Sequence, residues 1–144
     1  RVAGCRIYCH GGAALLVTGC TRMSVVRGIL GGLEAEKRAS SAVFLLDTAS
    51  VQLKDSRLHH SRIAALRVQG NAAAHCERVS MGHNPAHVTL AARGAVTLRF
   101  CTLDAARFAA IAITPDAGSD QTAPRDGEKA GEKPVGTRLE LRST

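Results

Sequence analysis

Counted from Val88, apolar side chains recur at Val88, Leu90, Val96, Leu98, Cys101 and Leu103, which are offsets of 0, +2, +8, +10, +13 and +15. The same offsets from Leu66 reach Leu66, Val68, Ala74, Cys76, Val79 and Met81. From Val43 they reach Val43, Leu45, Val51, Leu53, Ser56 and Leu58; from Leu15 they reach Leu15, Val17, Met23, Val25, Gly28 and Leu30. Only Ser56 and Gly28 break type. Partial turns flank the four copies at Cys5 and Ile7 and at Ile111 and Ile113. Within each pair the spacing of two is that of a strand with one buried face. Small or turn-forming residues such as Gly19, Gly70, Asn71 and Gly94 separate the pairs.

Successive copies start 28, 23, 22 and 23 residues apart, the first lengthened by the Gly-rich, charged stretch "GGLEAEKRAS" at 31–40. A period of this length means stacked units, each burying its apolar side against its neighbours. Three short strands per unit at a period of 22–23 predict an all-β parallel β-helix of about five coils. With coils about 4.8 Å apart, such a rod is about 24 Å long. Leucine-rich repeats share the "V-x-L-x-x-C-x-L" seen at 96–103, but they require a further Leu three residues earlier. That column here reads Cys20, Thr48, Asn71 and Arg93.

The units "AVFLLDTASVQLKDSRLHHS" and "AHVTLAARGAVTLRFCTLDAARF" resemble the right-handed parallel β-helix repeats of the pectin-lyase-like superfamily. The resemblance covers roughly residues 4–114 and is specific for fold rather than for activity. That set includes polysaccharide lyases, hydrolases and epimerases, and also non-catalytic β-helix domains of F-box, cytoskeletal and ciliary proteins. Its lyases use acidic calcium ligands with an Arg, and its hydrolases need two or more carboxylates flanking the scissile bond. Residues 1–110 hold six acids, Glu34, Glu36, Asp47, Asp55, Glu77 and Asp104, with no Asp-Asp pair among them. "GHN" at 82–84 matches the Gly-His-Gly of the polygalacturonases only in part, and sugar-stacking aromatics reduce to Tyr8, Phe44, Phe100 and Phe108. The resemblance therefore implies a non-catalytic, scaffold-type member without a cofactor. The alternative it leaves is a fragment of a carbohydrate-active enzyme of lyase, hydrolase or epimerase type.

Composition sharpens this reading. The 144 residues suffice for one domain with a real core. Aromatics at 3%, with no Trp, leave Val, Leu, Ile and Ala to build that core, which suits small stacked strands. Residues 1–110 carry 14 Lys/Arg against 6 Asp/Glu, and residues 111–144 carry 5 against 6, so the net +7 resides on the body. Its basic residues are mostly Arg, whose planar fork suits carboxylates, so protein partners with acidic surfaces are expected. Five cysteines, an odd number, suit reduced thiols in an intracellular, cytoplasmic or cytoskeletal setting. The chain opens on Arg1 rather than Met and is expected to be a fragment or processed product. No signal peptide is apparent, and the longest apolar run, "AALLV" at 13–17, is too short to span a bilayer, so no membrane partner is expected.

If the six offsets point inward, +9, +11 and +14 point outward. The +11 file reads Val26, Lys54, Glu77, Arg99 and the +12 file reads Arg27, Asp55, Arg78, Phe100, an alternation expected to form a surface ladder of ion pairs. Arg57, Arg67, Arg78 and Arg99 are the candidate binding contacts. His60 and His83 share offset +17 and should be neighbours on adjacent coils, flanked by His59 and Asp104 at +16. They are expected to be solvated turn residues; no metal site is expected, and His60 and His83 would be the ligands of one. "CRIYCH" lacks both haem-attachment spacing and a second Cys pair for zinc, so Cys5, Cys76 and Cys101 read as small core side chains. No aromatic platform accompanies the arginines, and Arg57, Arg62, Arg67, Arg93 and Arg107 do not align in one strip, so sequence-specific nucleic-acid binding is not expected.

The organisation expected is a β-helix over 1–114, a flexible Pro- and Gly-rich loop or linker over 115–134, and a last segment over 135–144. That segment is either a returning strand of the last coil, through Leu139 and Leu141, or a disordered tail. The functional expectation is a scaffold or interaction module in a larger assembly, with packing partners at the solenoid ends.

Overall fold

The computed structural model describes residues 1–34, 37–91, 93–104, 106, 108–114 and 138–142, and among these it forms strands and turns but no helix. The chain winds in coils of three strands. β1 (Val2–Ala3) and β2 (Arg6–Tyr8) make a partial coil, and β3 (Ala13–Val17), β4 (Arg22–Val26) and β5 (Ile29–Gly31) make the first full one. The next comprises β6 (Ala39–Leu45), β7 (Ser50–Lys54) and β8 (Arg57–His59), followed by β9 (Ser61–Val68), β10 (Ala73–Glu77) and β11 (Ser80–Gly82). Then come β12 (Ala86–Ala91), β13 (Ala95–Arg99) and β14 (Thr102–Asp104), and finally β15 (Ala109–Thr114) and β16 (Arg138–Arg142).

Every third strand pairs in parallel, which gives three sheets. Sheet A runs β1-β4-β7-β10-β13-β16, sheet B runs β2-β5-β8-β11-β14, and sheet C runs β3-β6-β9-β12-β15. The fold is a parallel β-solenoid of about five coils, the class the repeat predicts. Its register is that of the apolar offsets. Leu15, Val43, Leu66, Val88 and Ile111 stand side by side in sheet C. Met23, Val51, Ala74 and Val96 do so in sheet A, and Ile7, Leu30, Leu58, Met81 and Leu103 in sheet B. Leu30, Leu53, Leu58, Leu66, Met81 and Leu90 are fully buried along the axis. Each such side chain contributes roughly 1.5–3 kcal/mol, so a file of aliphatic residues does what aromatics do elsewhere.

The two off-type positions are neighbours in one column. Ser56 Oγ accepts a hydrogen bond from the Gly28 N–H (3.0 Å) and donates to the Lys54 carbonyl (2.8 Å). Gly28 leaves the space that Val25 fills, for a Cβ there would lie 2.6 Å from Val25 Cγ1.

The corners follow a second rule that the apolar pattern does not contain. Between sheets A and B each coil places one residue in the left-handed region: Gly4, Arg27, Asp55, Arg78 and Phe100 have φ of 51–62°. Gly19, Asp47 and Gly70 do the same between sheets C and A, and His60 and His83 between sheets B and C. A single such residue turns the chain sharply from one sheet to the next, and its side chain points away from the core. Non-glycine residues visit this region rarely, so its recurrence at fixed columns reflects the geometry of the coil.

The longer first repeat is an excursion between β5 and β6, closed by hydrogen bonds from Leu33 N to Lys37 O and from Lys37 N to Glu34 O (both 3.1 Å). β16 pairs in parallel with β13, Leu139 opposite Val96 and Leu141 opposite Leu98. The stretch 115–134, expected to be a flexible loop, lies outside the described residues.

Candidate functional site

Stacking makes side chains one coil apart into neighbours, and three groups on the outside of the rod follow from it. The first is the ladder. Arg78 donates from Nε to Asp55 Oδ1 (2.6 Å) and from Nη2 to Oδ2 (3.2 Å), while its Nη1 reaches Glu77 Oε1. Lys54 Nζ lies 3.7 Å from the other Glu77 oxygen. The hydrogen bonds and charge of Arg78 hold the Asp55 carboxyl below its ordinary value, against a smaller opposing effect of burial, and the same contact raises Arg78. These groups are exposed, so the ladder acts on register more than on stability.

The four candidate arginines do not converge. Arg57 is exposed on β8 in sheet B, Arg67 is half-buried on β9 in sheet C, Arg78 sits at the A-to-B corner, and Arg99 ends β13 in sheet A. Arg78 is engaged by Asp55 and Glu77, and the Arg99 guanidinium lies 5.7 Å from the Phe100 ring centroid.

The second group is a stack of imidazoles at the B-to-C corner. His60 and His83 lie parallel (4°) with centroids 5.1 Å apart. His59 meets His60 edge-on at 88° and 4.9 Å, with the two Nδ1 atoms 2.7 Å apart, so one ring donates and the other accepts. Tyr8 approaches His59 across the side-chain-free Gly31, with ring centroids 6.2 Å apart. Burial first, then the charges of His60, His83 and Arg57, depress the His59 pKa. Burial, then His83 and Arg38, depress that of His60. His59 and His60 are thus half-buried, packed rings, while His83 is exposed, and His60 and His83 both stand at the corner turn. Asp104 shares the column of His59, but Gly82 stands between the two. Among the described residues, no three His, Cys, Asp or Glu side chains are arranged to hold a metal ion.

Sequence reasoning passes over His87. This residue is fully buried, and neither ring nitrogen has a hydrogen-bond partner among the described residues. Burial depresses its pKa, opposed by Asp104. The signal was available: at the matching offset the other coils carry Ala14, Ala42, Ala65 and Ala110.

The third group lies on the outer face of sheet C. Leu16, Phe44, Arg67, Thr89 and Ala112 form one file across five strands. The Arg67 guanidinium lies 4.6 Å from the Phe44 ring centroid, stacked by cation–π attraction. Beside it is a shallow depression of about 240 Å³ lined by Ile63, Arg67, Val68, Gln69, Thr89 and Ala91. A more polar depression of about 210 Å³ on sheet A is lined by Gln52, His75, Glu77, Thr97 and Arg99, together with Cys76.

No helix among the described residues is long and apolar enough to cross a membrane. No family model, curated protein or solved structure matches the chain, so a functional reading rests on the arrangement of its own side chains.

Proposed function

We propose that this chain is a non-catalytic scaffold or protein-interaction module of a larger intracellular, cytoskeletal-type assembly, built as a right-handed β-helix of the pectin-lyase-like kind. The observation that carries the reading is the apolar surface left partly uncovered on the first and last coils among the described residues. Cys5, Ile7 and Leu15 at one end, and Cys101, Leu103 and Ile111 at the other, pack on the core yet stay only partly buried. Exposed large apolar side chains gather there as well, Tyr8 and Leu16 near the first coils and Phe108 and Ile113 near the last. Among the described residues β2 and β3 in the first coils and β14 and β15 in the last pair on one edge only, and such an edge accepts a further strand. In a solenoid such apolar coil surface is covered by a further coil, a cap or a partner. Partners therefore engage the ends by strand pairing and apolar contact, with exposed arginines such as Arg57 and Arg99 steering acidic surfaces towards the rod.

Proximity labelling of the native full-length protein in its own cells tests this reading. A reproducible set of intracellular assembly proteins is the expected result. Recovery only along the secretory route, or cleavage of an acidic polysaccharide by the purified chain that Glu77→Gln abolishes, would overturn it in favour of a carbohydrate-active enzyme.

A further inference from the structure

The geometry points to the depression beside Arg67 on sheet C as a seat for one carboxylate side chain of a partner protein, flanked by an apolar residue of the same segment. This inference rests on the reading of the chain as an interaction module and specifies the chemistry of one contact on its side.

Arg67 is unlike the arginine of the ladder. Arg78 is engaged by two carboxylates, whereas Arg67 has no ion-pair partner among the described residues. Its guanidinium is nonetheless held in place. Phe44, one coil away in register, holds the Arg67 guanidinium by cation–π attraction at 4.6 Å from the ring centroid. A fork fixed in advance loses less freedom on binding a carboxylate than a mobile one.

The surroundings select the partner. Thr89 is the register neighbour of Arg67 on the other side, and its hydroxyl is shut off from solvent with no hydrogen-bond partner among the described residues. Thr89 and Gln69 both line the depression, where Gln69 adds a second polar side chain to that of Arg67. Ile63, 45% exposed, and Ala91 supply an apolar wall. Leu16, Phe44, Thr89 and Ala112 add no second cation to the file of Arg67. One cation in an apolar setting suits a single carboxylate beside an aliphatic side chain. A nucleic-acid backbone would require a strip of cations and open aromatic faces, and Arg67 already occupies one face of Phe44. In an extended segment, residues two apart project to the same side, so an acidic residue at one position and Leu two further on match the fork and the wall.

The test is a titration of the whole chain, followed by amide NMR, with the blocked peptide Ser-Glu-Ser-Leu-Ser. Its Gln counterpart and inorganic phosphate serve as comparison probes. Saturable shifts centred on Arg67, Gln69 and Thr89 are expected. The Gln peptide, and the Arg67→Gln variant, should bind about tenfold or more weakly, the size of effect a lost charge-assisted fork produces. Arg22→Gln, which removes an exposed arginine at the start of β4 on a different sheet, should leave binding unchanged. Absence of saturable shifts at those amides would overturn the inference. So would equal weakening by both variants, which would reduce the effect to net charge, or phosphate binding as tight as that of the Glu peptide. The peptide swap is read on the unmodified protein, so the result stands even if Arg67→Gln misfolds. Failure here leaves the scaffold reading to the labelling experiment, which does not depend on this site.

Discussion

Gly31→Ala and Gly82→Ala make the same chemical change in the same column, and the fold predicts opposite outcomes. Tyr8, Gly31, His59, Gly82 and Asp104 are successive register partners in sheet B. Gly31 has φ of 148°, and a Cβ on it would lie 1.8 Å from the His59 carbonyl oxygen and 2.9 Å from its carbon. Neither strand can step aside freely, because the Gly31 carbonyl accepts from Cys9 N (2.9 Å) and the His59 carbonyl from Gly32 N (3.2 Å). A side chain in such a backbone conformation costs about 1–3 kcal/mol. Disturbing two backbone hydrogen bonds adds about 0.5–1.5 kcal/mol each, so Gly31→Ala should destabilise by about 2–6 kcal/mol. That is a large share of the roughly 5–15 kcal/mol typical of a domain. At Gly82 the nearest atom a Cβ would meet is the Asp104 carbonyl oxygen at 3.8 Å, an ordinary contact, and φ is not in the left-handed region. Gly82→Ala should therefore be neutral or stabilise by up to about 1 kcal/mol, through the lower entropy of the unfolded chain. Urea titrations followed by far-UV circular dichroism give both values. The chain has no Trp, and its one Tyr, Tyr8, stands in the affected column, so fluorescence is the poorer probe. Equal stabilities for the two variants would refute the close approach of β5 to β8.

Asn84→Ala should destabilise by about 2–3 kcal/mol in the same titration. The side chain is buried, accepts from Ser61 N (3.0 Å) and donates to Leu58 O (3.3 Å), so its loss strands a backbone donor. Lowering the pH through the ordinary histidine value of 6.5 should reduce stability. His59 and His60 have depressed folded pKa values, so the unfolded chain binds more protons until the pH falls below both of them. Urea midpoints at pH 8 and pH 5 read the slope, and His59→Gln with His60→Gln should reduce it, leaving the part due to His87, whose folded pKa burial also depresses. Arg78→Met should raise the Asp55 carboxyl pKa towards its ordinary 3.8, as followed by carboxyl-carbon NMR, because Arg78 is the principal cause of its depression.

The six apolar offsets contain the strand register, because a solenoid repeats one coil and each coil contacts only its neighbours. Leu30, Leu58 and Met81 could be aligned from their numbers alone. The corners could not. Arg27, Arg78 and Phe100 occupy left-handed backbone that composition assigns to Gly or Asn, and only the requirement to turn from one sheet to the next explains them. Gly28 and Ser56 read as two defects in the pattern and are one compensated feature, since the hydroxyl of Ser56 bonds the N–H of Gly28. Among candidate contacts, the sequence supplies four arginines of one chemical kind at offsets +14, +1, +12 and +11. Those offsets fall on different faces, so the four cannot act as one patch. Which of them is engaged depends on the neighbouring coil, and that is a contact rather than a composition.

The common element in these side-chain groups is a separation of one coil. Asp55 and Arg78, His60 and His83, Phe44 and Arg67, and Ser61 and Asn84 are all 23 residues apart. None forms a local motif of the kind that marks a metal loop or a nucleophile turn. In a parallel solenoid an outward or corner column is the equivalent of such a motif, written down the rod instead of along the chain. The core columns are mostly apolar, with Ser56, Asn84 and His87 buried among them, so most of the chemical variety lies in the outer files and the left-handed corners. The charge ladder and the imidazole stack occupy corners, and the Arg67 seat occupies an outer file. Each is bounded by the small or unlike residues of the next coil, as His60 and His83 are by Gly32 on one side. A functional patch on such a rod is therefore as long as the run of suitable residues in its column. Lengthening the Arg67 file with a second cation, or breaking it, changes the ligand that the face selects without touching the core that holds it in place.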